Sequence, residues 1–370
     1  MKVALVCDWY LPRLGGIELH LSDLAKRLNA AGHDVVVISP TPGAPVVDGV
    51  RIVRIDAPRA PVFGFLCTPA GVRAIGRALE LQRPDVAHCH VSIVSPAAIG
   101  GAFAAERLGI PVALTFHSVV PRMQHLVRLA DGLFQISKLS AAMSAVSERV
   151  ARDVRALAGT RTMHVVPNGI DVAFWRAEEA ERSGGDLRLI SVMRLNSKKR
   201  PLALVDIMQR AVAQLPSALR VTLRIVGDGP MRPALARAVA RSNLADRITL
   251  VGRVDRHRVR ELLSESDVFL LPTVRESFGL AALEARCVGL PVVARADSGV
   301  AELIEHGTEG LLGRSDADLA AHIVSLARDD ASRAAIARHN RAFTPAHDWA
   351  RVLDANIALY REAISLRNSV

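Results

Sequence analysis

The sequence predicts an α/β protein built from two doubly wound, parallel-sheet domains that face a cleft. Three observations carry this. Short apolar runs alternate with helical ones throughout, the pattern of repeated βαβ units. That pattern stops and restarts once, across the polar segment 177–186 with its Ser183-Gly184-Gly185 stop. And 370 residues, half of them hydrophobic and 23% charged, suffice for two full cores.

In the first domain, residues 1–178, strands are expected near 2–7, 34–39, 51–55, 86–88, 112–115, 142–145 and 163–166. The first, Lys2-Val3-Ala4-Leu5-Val6-Cys7, is a near-continuous apolar run, as a strand covered on both faces should be. A helix over 18–31 ends at Gly32, a good helix stop. The second domain, 186–348, has strands near 187–193, 221–226, 248–251, 268–271 and 291–294. The tail, 348–366, reads as one amphipathic helix with Trp349, Val352, Leu353, Ile357, Leu359 and Tyr360 as its apolar positions.

Composition excludes several classes. No run approaches the roughly 18–20 apolar residues of a membrane span. The N-terminus reaches Asp8 too soon for a signal peptide and reads as a first strand. Cys7, Cys67, Cys89 and Cys287 have no metal-ligand spacing and lie in or near apolar segments, as reduced cytoplasmic thiols would. Net charge is +10, and residues 51–83 hold six arginines against two acids. That cluster suits either a solvated helix face or an anionic membrane or substrate. With 4% aromatics and no recognised module, nucleic-acid binding is not expected.

The most informative stretch is Glu276-Ser277-Phe278-Gly279-Leu280-Ala281-Ala282-Leu283-Glu284. It follows the buried run 267–272, so Glu276 sits on the loop at the carboxyl end of a strand. Glu284 lies about two turns along the next helix. Ligands of open parallel sheets bind at that end. A pair of acids also suggests a glycosidase. Arg194, at the end of the strand 187–193, and Lys199, entering the next helix, would grip a diphosphate from two directions. Cations at a helix start oppose the helix dipole, which favours an anion site over a plain charge run. Gly15-Gly16 follows the first strand and opens a helix, allowing close backbone approach or simply a tight turn. His20 reads as an ordinary helix residue. His117, past the strand 112–115, points to a ligand or is a satisfied strand-end histidine. His88 and His90 share a strand face, but no third ligand lies nearby, so no metal is expected. Gly227-Asp228-Gly229-Pro230 reads as a structural turn. Asp316-Ala317-Asp318 has the look of a metal motif, but Ser315 and both acids fit a helix cap and first turn.

Taken in order along nearly the whole chain, these pieces resemble the retaining GT-B glycosyltransferases of family 4. Further matches are the segments Asp85 to His90, Thr115 to His117, Pro167-Asn168-Gly169-Ile170-Asp171, Asp297 to Ile304 and Gly307 to Leu312. The resemblance implies two Rossmann-like domains, with the last helix (349–370) crossing back to the first. It implies a donor UDP- or GDP-sugar, no metal and no other cofactor, and transfer by front-face displacement. Arg194 and Lys199 would bind the donor diphosphate, and Glu284 the ribose hydroxyls. Glu276 would hold the sugar, helped by Ser277, Phe278, Gly279 and Leu280. Gly15 and Gly16 would form the loop that closes over the donor. His117 would bond a sugar hydroxyl, and Arg253-Val254 would lie against the base. Arg200, Met193 and Ser298 stand where the family often has glycine. The acceptor is expected to be a membrane lipid or glycan precursor. The apolar loop 59–66, with Arg73 and Arg77, would dock on the inner face of the cytoplasmic membrane. A GT-B phosphorylase, a sugar-nucleotide epimerase and a non-catalytic sugar-binding protein are the alternatives.

Overall fold

The computed structural model describes residues 1–13, 15–56, 69–92, 95–118, 131, 135–158, 162–176, 186–342 and 344–369. Residues 177–185 of the expected linker 177–186, the loop 59–66 and Cys67 lie outside the described residues. The chain divides into two compact units, Met1–Gly169 with Trp349–Val370, and Ile170–Asp348.

The first unit is built on one sheet of eight strands: β1 (Lys2–Cys7), β2 (Asp34–Ser39), β3 (Val46–Val47), β4 (Val50–Arg54), β5 (Val86–Val91), β6 (Val112–Phe116), β7 (Ala141–Ala145) and β8 (Met163–Val165). Their order is β3-β4-β2-β1-β5-β6-β7-β8, and every pairing is parallel except β3–β4. The edge strand β3 was not expected. Asp48 and Gly49 both adopt positive φ, as a two-residue hairpin requires, and pair Val47 with Val50. The chain order turns around between β1 and β5, which makes their carboxyl ends the switch point of this sheet.

The second unit has six strands, all parallel: β9 (Leu187–Val192), β10 (Val221–Val226), β11 (Ile248–Gly252), β12 (Val268–Leu271), β13 (Val292–Arg295) and β14 (Gly310–Gly313). The order is β11-β10-β9-β12-β13-β14, so the switch point lies between β9 and β12. The central strand β12 is buried throughout, which explains its unbroken apolar sequence.

The helix Trp349–Asn368 belongs to the first unit, as expected of a chain that crosses back. Trp349, Val352, Leu359, Tyr360 and Ala363 join Leu21, Leu24, Leu28, Ala113 and Ala142 in its core. The division between units falls at Gly169, ahead of the sequence boundary at 178. The reason is local. The Ile170 N–H donates to the His347 carbonyl at 2.9 Å, and Trp175 is fully buried among residues of the second unit. Among the described residues, no helix is long and apolar enough to cross a membrane. Cys7, Cys89 and Cys287 are buried free thiols.

Candidate functional site

In the second unit the residues picked from sequence gather at the carboxyl ends of β9, β11 and β12. Arg194 follows β9 and is exposed; its guanidinium has no hydrogen bond or ion pair among the described residues. Lys199 stands in a short 3-10 turn, Ser197–Lys199, ahead of the helix Pro201–Val212 rather than inside it. The Asn196 side chain caps that turn by accepting the Lys199 N–H at 3.1 Å. The Lys199 ammonium meets the Glu276 carboxylate, Nζ to Oε2, across the switch point from the β12 loop. Charge of both signs is therefore concentrated where the sheet topology places a ligand.

Arg200 has another task than its neighbours. Its backbone is left-handed, φ 56°, which explains why glycine suits this position. Its guanidinium grips Asp316 through two nitrogens, at 2.9 and 2.7 Å, and donates to the Pro272 carbonyl at 2.8 Å. Asp316 also receives Arg295. Asp318 accepts from the Ser315 backbone while Ser315 accepts from Asp318, a closed capping box on the helix Asp316–Arg328. Both acids of the Asp-x-Asp motif are thus engaged structurally.

The Gly227-Asp228-Gly229 turn does more than reverse the chain. A Cβ on Gly227 would lie 1.9 Å from the Met193 carbonyl oxygen, and one on Gly229 would lie 2.5 Å from that of Leu195. Only glycine lets the two loops press together this closely. Backbone bonds tie them: Met193 N–H to Val226 O, Leu195 N–H to Asp228 O, Met231 N–H to Leu195 O and Gly227 N–H to Gly252 O. The last bond extends the clamp to β11, after which Arg253 is exposed and Val254 half-buried. The loops carrying Arg194 and Arg253 are therefore fixed to one another through this turn.

The Glu276 loop is held in a similar way. Gly279 adopts φ 100° and starts the helix Leu280–Val288. A Cβ on Gly299 would lie 2.3 Å from the Ser277 carbonyl, and its N–H donates to Glu276 O at 2.9 Å. Ser298, where the family often has glycine, is buried and caps the turn Gly299–Glu302. The Phe278 ring is buried and packs edge-on to His347. The N–H groups of Phe278, Gly279 and Leu280 carry no hydrogen bond among the described residues. Glu284 is half-buried on the same helix.

In the first unit, Gly15 packs against the Glu18 carboxylate, where a Cβ would come within 2.4 Å, while Gly16 has open space around it. Arg13 pairs with Glu18 and covers the Trp9 ring. Asp8, at the end of β1, accepts from the N–H groups of Ala97 and Ala98 at the start of the helix Pro96–Arg107. Burial pushes its carboxyl up to about 6.

Four histidines, His20, His88, His90 and His117, form one buried group. His20 is more than an ordinary helix residue; it is buried and its ring stacks on Trp349, centroids 5.2 Å apart. A directional chain fixes His88. Ser144 donates to the Leu114 carbonyl and so accepts from Thr115, which accepts from His88 Nε2. His88 Nδ1 is then bare and accepts from the Tyr360 hydroxyl at 2.9 Å. Both His88 nitrogens are thus engaged within the fold. His117 meets His90, Nε2 to Nδ1, at 2.9 Å. Burial lowers all four, His20 and His88 to about 3, so the group is neutral near pH 7. The His20 stacking and the Tyr360 bond were missed from sequence, because their partners lie at the far end of the chain.

Comparison with known proteins finds matches to both units of the chain. The sequence model described as Glycosyl transferases group 1 matches residues 186–329, and that described as Glycosyltransferase Family 4 matches residues 14–174. A glycogen synthase of Mycobacterium tuberculosis is 29% identical, covering 98% of this chain and 95% of that protein. A D-inositol 3-phosphate glycosyltransferase of Xylanimonas cellulosilytica is 27% identical, covering 95% and 93%. Among solved structures, Anabaena Alr3699/HepE in complex with UDP and glucose superposes with a TM-score of 0.76 at 22% identity, covering 96% and 98% of the two chains.

Proposed function

Because the chain belongs to the family 4 glycosyltransferases of GT-B fold, we propose that it moves a hexose or N-acetylhexosamine from a UDP- or GDP-sugar to an acceptor hydroxyl, with retention of configuration. The observation that carries this is Arg194, unpaired among the described residues, on the same β9 loop as the Lys199–Glu276 pair, at the switch point of the second sheet. Breaking a glycosyl–phosphate bond builds negative charge on the leaving diphosphate. Fixed cations there stabilise the transition state more than the ground state. A diphosphate competes with Glu276 for the Lys199 ammonium, and the released carboxylate is free to accept from a sugar hydroxyl. Glu284 takes the ribose hydroxyls, and the open N–H groups of Phe278 to Leu280 face phosphate or sugar. Arg253-Val254 lies against the base, and Gly15-Gly16 serves the donor loop. His117 accepts or donates at a sugar hydroxyl. A donor phosphate oxygen takes the acceptor proton, in a front-face displacement with no metal.

The bound UDP of the Anabaena protein supports a uridine donor as the first to try. For the acceptor, Arg73, Arg77 and Leu81 are exposed at four-residue spacing on the helix Pro69–Gln82, which supports contact with an anionic lipid surface on the cytoplasmic side. The test is turnover of UDP- and GDP-sugars by Lys199→Ala and Glu276→Ala. Each loses about 10²- to 10³-fold in kcat with unchanged circular dichroism. Normal turnover in both variants refutes the assignment. Conversion of a UDP-sugar to its epimer with no acceptor present identifies the epimerase instead.

A further inference from the structure

His90 and His117 share a single hydrogen bond, Nδ1 of His90 to Nε2 of His117. Both rings are neutral, and a neutral imidazole carries one proton. One proton must lie in the bond, and that sets a rule. If His117 Nε2–H donates, His90 Nδ1 is bare and its proton sits on Nε2. If His90 Nδ1–H donates, His117 Nε2 is bare and its proton sits on Nδ1. The two rings therefore always share the same tautomer. A mixed pair would place two protons, or none, between the nitrogens.

The outer nitrogens of the pair, His90 Nε2 and His117 Nδ1, are both buried and without a hydrogen-bond partner among the described residues. One is always a donor and the other always a bare acceptor. The His90 ring cannot easily turn away. It packs on His88 with centroids 3.9 Å apart, and His88 is fixed at both nitrogens by Thr115 and Tyr360.

We propose that His90 is a positioning residue for His117, coupling the two tautomers so that His117 Nδ1 offers a ligand hydroxyl a proton only when His90 Nε2 is bare, and a lone pair only when His90 Nε2 is protonated. This rests on the role given to His117 above. His90 itself touches no reacting atom.

Two variants separate hydrogen bonding from packing. His90→Asn puts an amide where Nδ1 sits and removes the ring. His90→Phe keeps the ring against His88 and removes the bond. The Phe variant is expected to lose about 10- to 100-fold in kcat at nearly unchanged donor KM, the scale of a misplaced catalytic group, and the Asn variant to stay within about fivefold of the native enzyme. Nitrogen-15 spectra of imidazole-labelled native enzyme should show His90 and His117 in one shared tautomer, a readout that needs no variant to fold. Different tautomers on the two rings, or a Phe variant at least as active as the Asn variant, overturn the proposal. Full activity in His117→Ala refutes the catalytic role of His117, and with it any purpose for the coupling. The spectra would still report whether the two tautomers are shared, so the two failures are distinguishable.

Discussion

Replacing Gly227 by alanine strikes the clamp that holds Arg194. The backbone there has φ 126°, and the new Cβ would stand 1.9 Å from the Met193 carbonyl oxygen. The φ angle alone costs about 1–3 kcal/mol for a residue with a Cβ. To relieve the contact, the Met193–Leu195 backbone must retreat by about 1.5 Å, the distance to an ordinary carbon–oxygen approach. That retreat strains the Met193–Val226 and Leu195–Asp228 bonds, at about 1 kcal/mol for each one lost. The sum is about 3–5 kcal/mol, or a fall of about 10 °C in the melting of a unit of this size. Because Arg194 lies within the displaced backbone, kcat/KM should also drop about 100-fold. Gly252→Ala is the control. It has φ 84° but open space for a Cβ, so it should cost only about 1 kcal/mol. Thermal unfolding and initial rates on a UDP-sugar read both effects. If Gly227→Ala is no more damaging than Gly252→Ala, the clamp does not exist as described.

Acid should unfold the first unit early. His20, His88, His90 and His117 are held neutral in the fold, their pKa values lowered by burial, whereas the unfolded chain takes up protons below about 6.5. Stability is therefore full above that value and falls as pH drops, by about 1.4 kcal/mol per histidine per pH unit. Asp8 works in the opposite direction. Its folded value, about 6, is raised, so its neutral form adds stability as pH falls from about 6 toward 4, offsetting roughly one histidine. Denaturant titrations at pH 7, 6 and 5 should show the midpoint falling steeply; a flat profile refutes the neutral cluster. Tyr360→Phe removes the donor to His88 Nδ1 and leaves a buried nitrogen unpaired. It should cost about 1–3 kcal/mol by urea unfolding, and no loss would mean that the four-bond chain is not formed.

Parallel strands buried on both faces announce themselves, and so β1, β2, β6 and β12 lie where the sequence places them. Two strands did not. The pair Val46–Val47 is too short to show an alternation, although its Asp48-Gly49 turn was a usable signal. Gly310–Gly313 has glycine at both ends, and its reason is tertiary, since a Cβ on Gly310 would lie 2.1 Å from the Val292 carbonyl. In the site, loop position was legible because it follows from strand order: Arg194, Lys199 and Glu276 all sit at strand ends. What each neighbour does was not. Arg200 looked like one more cation in a basic run, yet it is committed to Asp316, 116 residues on. Gly227 looked like part of a plain turn, because nothing near it in sequence shows that Met193 lies against it.

The helix Trp349–Asn368 has a consequence for how the chain is made. Five of its residues complete the core of a unit whose strands were all synthesised before residue 170. On the ribosome, the second unit can therefore finish folding first, although it comes second in the message. The earlier sheet must wait through the translation of some 180 residues with the seats of Trp349 and Tyr360 unfilled. Production would then depend on whatever shields that apolar surface in the interval. Slowing translation within 170–348 should lower the yield of folded protein through the first unit and leave the second intact.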